Sequence, residues 1–94
     1  MKYEWDEQKA KINLKKHKIS FENAKEIFCD SFHLSIEDPD NSLEEDRWIT
    51  IGSYTGEIII TVSHIFRDIK GEDIIRIISA RKATSREKRN YYNK

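Results

Sequence analysis

The sequence is poor in the residues that support several classes of site. It has one cysteine, one proline and three glycines in 94 residues. A single cysteine, Cys29, excludes an internal disulfide, and His17, His33 and His64 do not have the spacing of a metal site. Because a glycine-rich phosphate loop is also missing, we expect neither a bound metal nor another cofactor.

Long apolar runs are missing as well. No stretch approaches the roughly 20 apolar residues of a membrane-spanning helix. The opening segment, MKYEWDEQKAK, lacks the apolar core of a signal peptide. We therefore expect a cytoplasmic protein that does not enter a membrane, and the chain length predicts one domain over residues 1–94.

Charge is balanced overall but unevenly distributed. The chain has 17 basic and 17 acidic residues. Residues 37–46 contain six acids and no base, whereas residues 81–94 contain six bases and one acid, Glu87. Each run is compatible with a solvated face, but separated charges can also steer a charged partner such as a polyanion or an acidic protein.

Periodicity and turn residues predict the order β-α-α-β-β-β-β-α, an α+β domain with helices packed on a mostly antiparallel sheet. The predicted strands are residues 2–5, 32–38, 47–54, 57–66 and 74–80. The predicted helices run from an Asp6 N-cap to about His17, over residues 20–28 from a Ser20 cap, and onward from Thr84 or Ser85. Turns are expected at 38–42, 55–56 and 67–73, and the spacing from Ser85 to Lys88 predicts no capping box.

The isoleucine-rich strands are more apolar than a sheet with one wet face requires. The segments EIIITV and DIIRII are nearly continuous hydrophobic runs. We expect the second face of the sheet to be covered by the C-terminal helix, by another subunit or by a partner protein.

Strict alternation on the last strand predicts which residues share a face. It places Ile75, Ile77, Ser79 and Arg81 on one face, and Ile74, Arg76, Ile78 and Ala80 on the other. Arg76 interrupts an isoleucine run, so its side chain must extend along the apolar surface to water, form an ion pair or point into a cleft where it contacts phosphate.

The strand-to-helix junction is the sharpest candidate site. Arg81, Lys82 and Arg86 gather where a helix N-terminus already favours anions. Arginine can hold a phosphate through two parallel hydrogen bonds. The alternative is a basic helix that faces water or pairs with the acidic run.

His64 has the side chain best suited to proton transfer near neutral pH. No partner for it is evident in the sequence, so a satisfied core histidine is the competing interpretation. Tyr91 and Tyr92 similarly fit base stacking or ordinary packing.

Cleavage of RNA would suit this residue set. The ribose 2′-OH can attack the adjacent phosphorus, so the protein has to position that hydroxyl, move a proton and stabilise the charge that develops. Arginines supply the last of these without a metal.

Several motifs together resemble the BrnT family of bacterial type II toxins. The opening YEWDEQKAKINLKKHKISFENA, the segment RWITIG at 47–52, His64 through Arg67 and the run RIISARKATSREKRNYY at 76–92 follow in the family's order. The resemblance implies a RelE-like fold and a ribonuclease that inhibits translation. Lys18 departs from the family pattern, since glycine usually follows the Lys-His pair.

The same resemblance implies partners and site residues. A BrnA-like antitoxin would bind and neutralise the toxin and would supply contact with operator DNA, and toxin homodimers are expected within the complex. Matching the family motifs favours Arg67, Arg76, Arg81 and Lys82 as the basic residues near RNA.

Three functions are compatible with the residues and with this resemblance. In the first, a metal-independent endoribonuclease, Arg67 and Arg81 hold the scissile phosphate and His64 carries a proton, while Arg76, Lys82 and Arg86 bind RNA. The second is a non-catalytic module that binds RNA or an acidic protein. The third is an inactive toxin homologue that acts as a co-repressor with its antitoxin.

Overall fold

In the part of the chain that the structure describes, five strands and three α-helices follow one another in the predicted order. The computed structural model describes residues 1–38, 46–55 and 57–93. The strands are β1 Lys2–Glu4, β2 Leu34–Glu37, β3 Arg47–Tyr54, β4 Ile58–Ile69 and β5 Glu72–Lys82. The helices are α1 Glu7–His17, α2 Phe21–Ala24 and α3 Ser85–Tyr92, with a 3-10 helix, Lys25–Cys29, directly after α2. Most of the predicted turn at 38–42, the acidic residues up to 45, and Gly56 of the predicted turn at 55–56 lie outside the described residues.

The strands form one mixed sheet in the order β1-β5-β4-β3-β2. Consecutive strands from β2 to β5 pair antiparallel, whereas β1 returns to the far edge and pairs parallel with β5. This arrangement confirms the α+β prediction of helices on a mostly antiparallel sheet. Every helix in the described part of the chain is too short or too polar to cross a lipid bilayer.

The hairpin between β4 and β5 turns more tightly than expected. The turn occupies only Lys70 and Gly71, with φ of 54° and 80°. Two positive φ values are typical of the hairpin turn whose twist matches that of the flanking strands. The predicted turn at 67–73 was therefore too long, and Arg67 lies within β4.

A β-bulge interrupts the pairing of β4 with β5. Ser63 lies opposite Ser79, but the next residue, His64, lies opposite Ile77. Ile78 is therefore the extra residue on β5, and alternation restarts after it.

The bulge overturns the predicted faces of β5. Ile75, Ile77 and Ala80 are all buried in one core cluster on the same side of the sheet. Arg76 and Arg81 share the other side, because cross-strand partners share a face and their partners on β4 are four residues apart. Strict alternation had separated these two arginines.

Helices cover both sides of the sheet. The side covered by α1 and α2, here the α1/α2 face, holds the larger core cluster. Its fully enclosed members are Ile19, Phe21, Ala24, Ile27, Ile60, Val62, Ile75, Ile77 and Ala80. On the other side, the α3 face, Tyr91 and Ala83 pack with Ile51 and Ile59. The C-terminal helix is thus one cover of the second apolar face, as the isoleucine runs predicted.

Helix ends follow local capping chemistry with two departures from expectation. The Asp6 and Ser20 side chains accept from helix backbone N–H groups as predicted. Thr84 caps α3 and forms a full capping box with Glu87, one residue before the pair that sequence spacing had ruled out. The predicted second helix over 20–28 continues as the 3-10 helix after only one α-helical turn.

The end of α1 carries local strain. Lys18 has φ of 62°, in the left-handed region, and its backbone N–H donates to the Leu14 carbonyl at 2.9 Å. Glycine adopts this conformation without a steric penalty, whereas a residue with a Cβ does not.

We expect Lys18→Gly to increase the free energy of unfolding by roughly 0.5–1 kcal/mol, because it relieves the left-handed backbone. Lys15→Gly, within α1, is the matched control and should lose about 1 kcal/mol. Urea unfolding measures both changes. A loss of stability in Lys18→Gly would contradict the strain argument.

Candidate active site

Three of the predicted arginines share the α3 face. Arg81 lies opposite Thr61 on β4, and Arg76 lies opposite Ile65. Arg67 is two residues beyond Ile65 on the same strand, so it points to the same side. The structure therefore brings together residues that are separated by up to 14 positions in the chain.

Arg81 is held by a bidentate ion pair. Its Nη1 and Nη2 donate to the two carboxylate oxygens of Glu87 at 2.7 and 3.0 Å. Nη1 also makes a longer contact, 3.3 Å, with the Lys82 carbonyl. The pair is half-enclosed, since 39% of the Arg81 side chain and 19% of the Glu87 side chain remain exposed.

Glu87 connects this arginine to the start of α3. Besides Arg81, its carboxylate accepts from the Thr61 hydroxyl at 3.0 Å and from the Thr84 backbone N–H at 2.9 Å. The pKa of Glu87 is lowered to about 2, mainly by the hydrogen bonds from Arg81. Glu87 is thus an acceptor for Arg81 and part of the helix cap at once.

Arg67 and Arg76 share a second carboxylate. Each donates through Nη1 to the same oxygen of Glu4, at 2.9 and 2.7 Å. The hydrogen bond from Arg76 is the largest cause of a lowered Glu4 pKa. Arg76 therefore forms the ion pair that was one of its predicted alternatives. Both arginines keep more than a third of their side chains exposed.

A polar strip on the α3 face separates Arg81 from the pair of Arg67 and Arg76. The β4 partners of Arg81 and Arg76, Thr61 and Ile65, are four residues apart, which corresponds to ~13 Å along the strand. Between them Ser63 and Ser79 face each other on the same side of the sheet. The α3 face thus offers guanidinium groups at two ends of a serine pair.

The remaining predicted basic residues lie outside this cluster. Lys82 pairs with Ile60, which belongs to the α1/α2 face, and it borders a shallow groove with Glu57 and Lys88. Arg86 is exposed in the first turn of α3. Both therefore flank the arginines at a distance from the serine strip.

His64 lies on the opposite side of the sheet. It has no exposed surface, and its Nε2 hydrogen-bonds with the Thr50 hydroxyl at 2.6 Å. Its ring lies edge-on to Phe28 and Phe66, with centroids 5.0 and 4.8 Å away. The pKa of His64 is lowered to about 4, mainly because the ring is buried. The structure does not bring His64 to the arginines, and we leave it out of the proposed site.

Neither carboxylate of the site was linked to its arginine partners from the sequence. Glu4 is 63 and 72 residues from its two arginine partners, so no local pattern links them. Glu87 had a usable signal, since Thr84-x-x-Glu87 is a capping-box spacing. The described residues contain no group of three His, Cys, Asp or Glu side chains placed to hold a metal ion.

Comparisons with known proteins agree on one family. Residues 5–87 match the family described as "Ribonuclease toxin, BrnT, of type II toxin-antitoxin system". The fold is similar to the crystal structure of the Brucella abortus ribonuclease toxin, BrnT, with a TM-score of 0.64 and 32% sequence identity. That similarity covers 90% of this chain and 99% of the Brucella chain. A search of curated proteins finds no match.

We expect the buried His64 to make stability depend on pH. Its pKa is about 4 in the folded protein and 6.5 for an unperturbed histidine, so the unfolded chain binds more protons between these values. Above about pH 6.5 the ring is neutral in both the folded and the unfolded chain. As the pH falls from there to 4, the free energy of unfolding decreases by about 3 kcal/mol. His64→Gln places an amide near the Nε2 position but does not titrate, so urea unfolding should show a shallower pH dependence.

The control for this measurement is His17→Gln, because His17 lies on α1, away from the Phe28 and Phe66 rings that contact His64, and a change of slope beyond that of this control is assigned to the buried ring. An unchanged slope in His64→Gln would show that other groups govern acid sensitivity.

Proposed function

The chain belongs to the BrnT family of ribonuclease toxins of type II toxin–antitoxin systems, and from this premise we propose that it cleaves RNA on the α3 face. The observation that carries the proposal is the placement of Arg67, Arg76 and Arg81 on one side of the sheet. Three guanidinium groups along two neighbouring strands suit a chain of phosphates. Membership of this family also implies a cognate antitoxin.

The proposed reaction uses the nucleophile that RNA itself provides. The 2′-oxygen forms a bond to phosphorus as the bond from phosphorus to the 5′-oxygen breaks. The 2′-hydroxyl loses its proton and the leaving oxygen gains one. Negative charge builds on the non-bridging phosphate oxygens, and a guanidinium group placed there stabilises it. We therefore expect cleavage without a metal ion.

Arg81 is the residue that we assign to the scissile phosphate. It already binds a planar anion, the Glu87 carboxylate, in the fork geometry that arginine also uses for phosphate. The position of the Glu87 carboxylate indicates where the Arg81 guanidinium can hold an anion. Arginine has five N–H donors, so Arg81 can retain Glu87 and still donate to a phosphate oxygen.

Arg67 and Arg76 are assigned to binding of the RNA strand at the other end of the serine pair. Their shared partner Glu4 is partly exposed, so exchange of this carboxylate for phosphate costs little. Lys82 and Arg86 contribute longer-range attraction from the flank. This division revises the sequence-based pairing of Arg67 with Arg81 at the phosphate.

The antitoxin is proposed to compete with RNA for the same cationic face. An acidic segment would satisfy the arginines as Glu4 and Glu87 do in the free toxin. In this arrangement operator DNA is bound only through the antitoxin, and the toxin is a homodimer within the complex. With RNA as substrate and an antitoxin as partner, we expect the protein to act in the cytoplasm.

We expect Arg81→Ala to lower RNA cleavage by a factor on the order of 10²–10³, as for loss of one oxyanion-stabilising donor. Glu87→Gln is the matched control, because it breaks the same ion pair and leaves the guanidinium in place. It should retain cleavage within roughly tenfold of wild type. The assay uses purified RNA with EDTA present, with circular dichroism as the check on folding.

Equal cleavage by Arg81→Ala and wild type would refute the assignment of Arg81. RNA binding without products from the wild type would favour the non-catalytic module or the co-repressor. Cleavage that stops when EDTA is added would refute metal independence alone.

We expect Glu4→Gln to strengthen RNA binding by roughly three- to tenfold, about 1 kcal/mol, because it removes the carboxylate that competes for Arg67 and Arg76. Glu22→Gln also removes an acid from an exposed ion pair, with Lys25, but lies on α2. Fluorescence anisotropy at several salt concentrations measures both variants. Equal effects of the two would show only a change in net charge.

A further inference from the structure

The outer edge of β5 loses its partner strand within the candidate site, between Arg76 and Arg81. β1 ends at Glu4, which lies opposite Arg76. Among the described residues no strand continues beside β5 beyond that point. Backbone groups on this edge still need hydrogen-bond partners, because buried N–H and C=O groups are costly when left unpaired.

The Asn13 side chain provides the missing pairing at Ala80. Its Nδ2 donates to the Ala80 carbonyl at 2.9 Å, and its Oδ1 accepts from the Ala80 N–H at 3.1 Å. A neighbouring strand would use one N–H and one C=O for the same purpose. Asn13 comes from α1 and is only 6% exposed, so one buried carboxamide replaces a strand at this residue.

A third hydrogen bond fixes the orientation of this carboxamide. The second Nδ2 hydrogen is donated to the Ile19 carbonyl at 3.0 Å, just after the left-handed residue Lys18. Both amide hydrogens and the amide oxygen therefore have partners. Rotation of the amide by 180° would lose all three contacts, so the side chain has one favourable orientation.

The two hydrogen bonds from Asn13 to the Ala80 backbone, here the Asn13 clamp, matter because of where Ala80 lies. Ala80 directly precedes Arg81, and the bulged residue Ile78 lies two positions earlier. Bulges bend and twist a strand locally, so the strand after Ile78 needs a second support besides β4. The clamp supplies it at the last residue before the guanidinium-bearing one.

We propose that Asn13 is a positioning residue for RNA cleavage, which sets the direction of Arg81 by clamping both backbone groups of Ala80. The proposal rests on the proposed function, since it requires that Arg81 acts in cleavage. Asn13 itself does not contact the substrate. Its removal should lower kcat more than it raises KM, because the phosphate-binding side chain is retained but misdirected.

The test is a double-mutant cycle with Asn13→Ala, Arg81→Ala and the double variant, measured at a temperature where all are folded. We expect Asn13→Ala to lower kcat at least tenfold in the wild-type background and less than twofold in the Arg81→Ala background. Asn13→Gln, which keeps the carboxamide but moves it by one methylene, should be intermediate and remains available if Asn13→Ala does not fold.

Asn23→Ala is the matched control for loss of an amide contact between a helix and a strand. Asn23 donates to the Tyr54 hydroxyl at 3.0 Å, and neither residue adjoins Arg81. Its kcat should stay within twofold of wild type. Amide hydrogen exchange should accelerate at Ala80 in Asn13→Ala and remain slow there in Asn23→Ala.

Two outcomes overturn the proposal while the proposed function stands. One is an equal loss of kcat from Asn13→Ala in both backgrounds, which would mean that Asn13 acts only through general stability. The other is wild-type kcat in Asn13→Ala. Failure of the underlying function is visible separately, because Arg81→Ala would then cleave RNA as fast as wild type.

Discussion

The bulge at Ile78 determines which side of the sheet carries Arg81. Arg76 and Arg81 are five positions apart, an odd number, so an uninterrupted strand would place them on opposite faces. The extra residue restores them to one face and also lets Ile77 and Ala80 both reach the core. Hydrophobic burial and the grouping of charge thus depend on the same irregularity. In a regular strand that kept Ile77 in the core, Arg81 would point into the same core and Ala80 would point away from it.

The second constraint is the double attachment of α3. At its first turn, Glu87 joins the helix to Arg81 and Thr61. At its last turn, Tyr91 packs in the smaller core and its hydroxyl donates to Asp30, whose carboxylate also accepts from the backbone N–H of Ser53. An eight-residue helix is only marginally stable alone, so these tertiary contacts stabilise it. Burial of Tyr91 favours the packing role that was one of its two predicted alternatives.

The features that are encoded locally could be predicted from the sequence. The order of elements, the Asp6 and Ser20 caps and the antiparallel run of four strands follow from periodicity and turn chemistry. The features that depend on strand register could not be predicted in this way. Nothing local marks Ile78 as bulged, and the parallel pairing of β1 with β5 joins residues 72 positions apart. The error over His64 is of another kind, because His64 lies three residues before Arg67 on β4 and alternation within that strand already places the two side chains on opposite faces.

The paired state of the arginines is compatible with phosphate binding because the two ion pairs differ in exposure. Arg67 and Arg76 share a partly exposed carboxylate, and exposed pairs contribute only about 0–1 kcal/mol. Phosphate can therefore replace Glu4 at small cost. Glu87 is less exposed and has four donors, so it is the harder carboxylate to displace.

Arg81 does not need to release Glu87 to hold a second anion. Its fork uses Nη1 and Nη2, and the Lys82 carbonyl takes a further contact from Nη1. Of the five N–H donors of a guanidinium, two are then left for a phosphate. A guanidinium fixed on one side and open on the other has lost its rotamer freedom before substrate arrives, so less entropy is lost when the phosphate binds. In the proposed reaction, the same carboxylate that neutralises Arg81 in the free protein would therefore also orient it toward the phosphate.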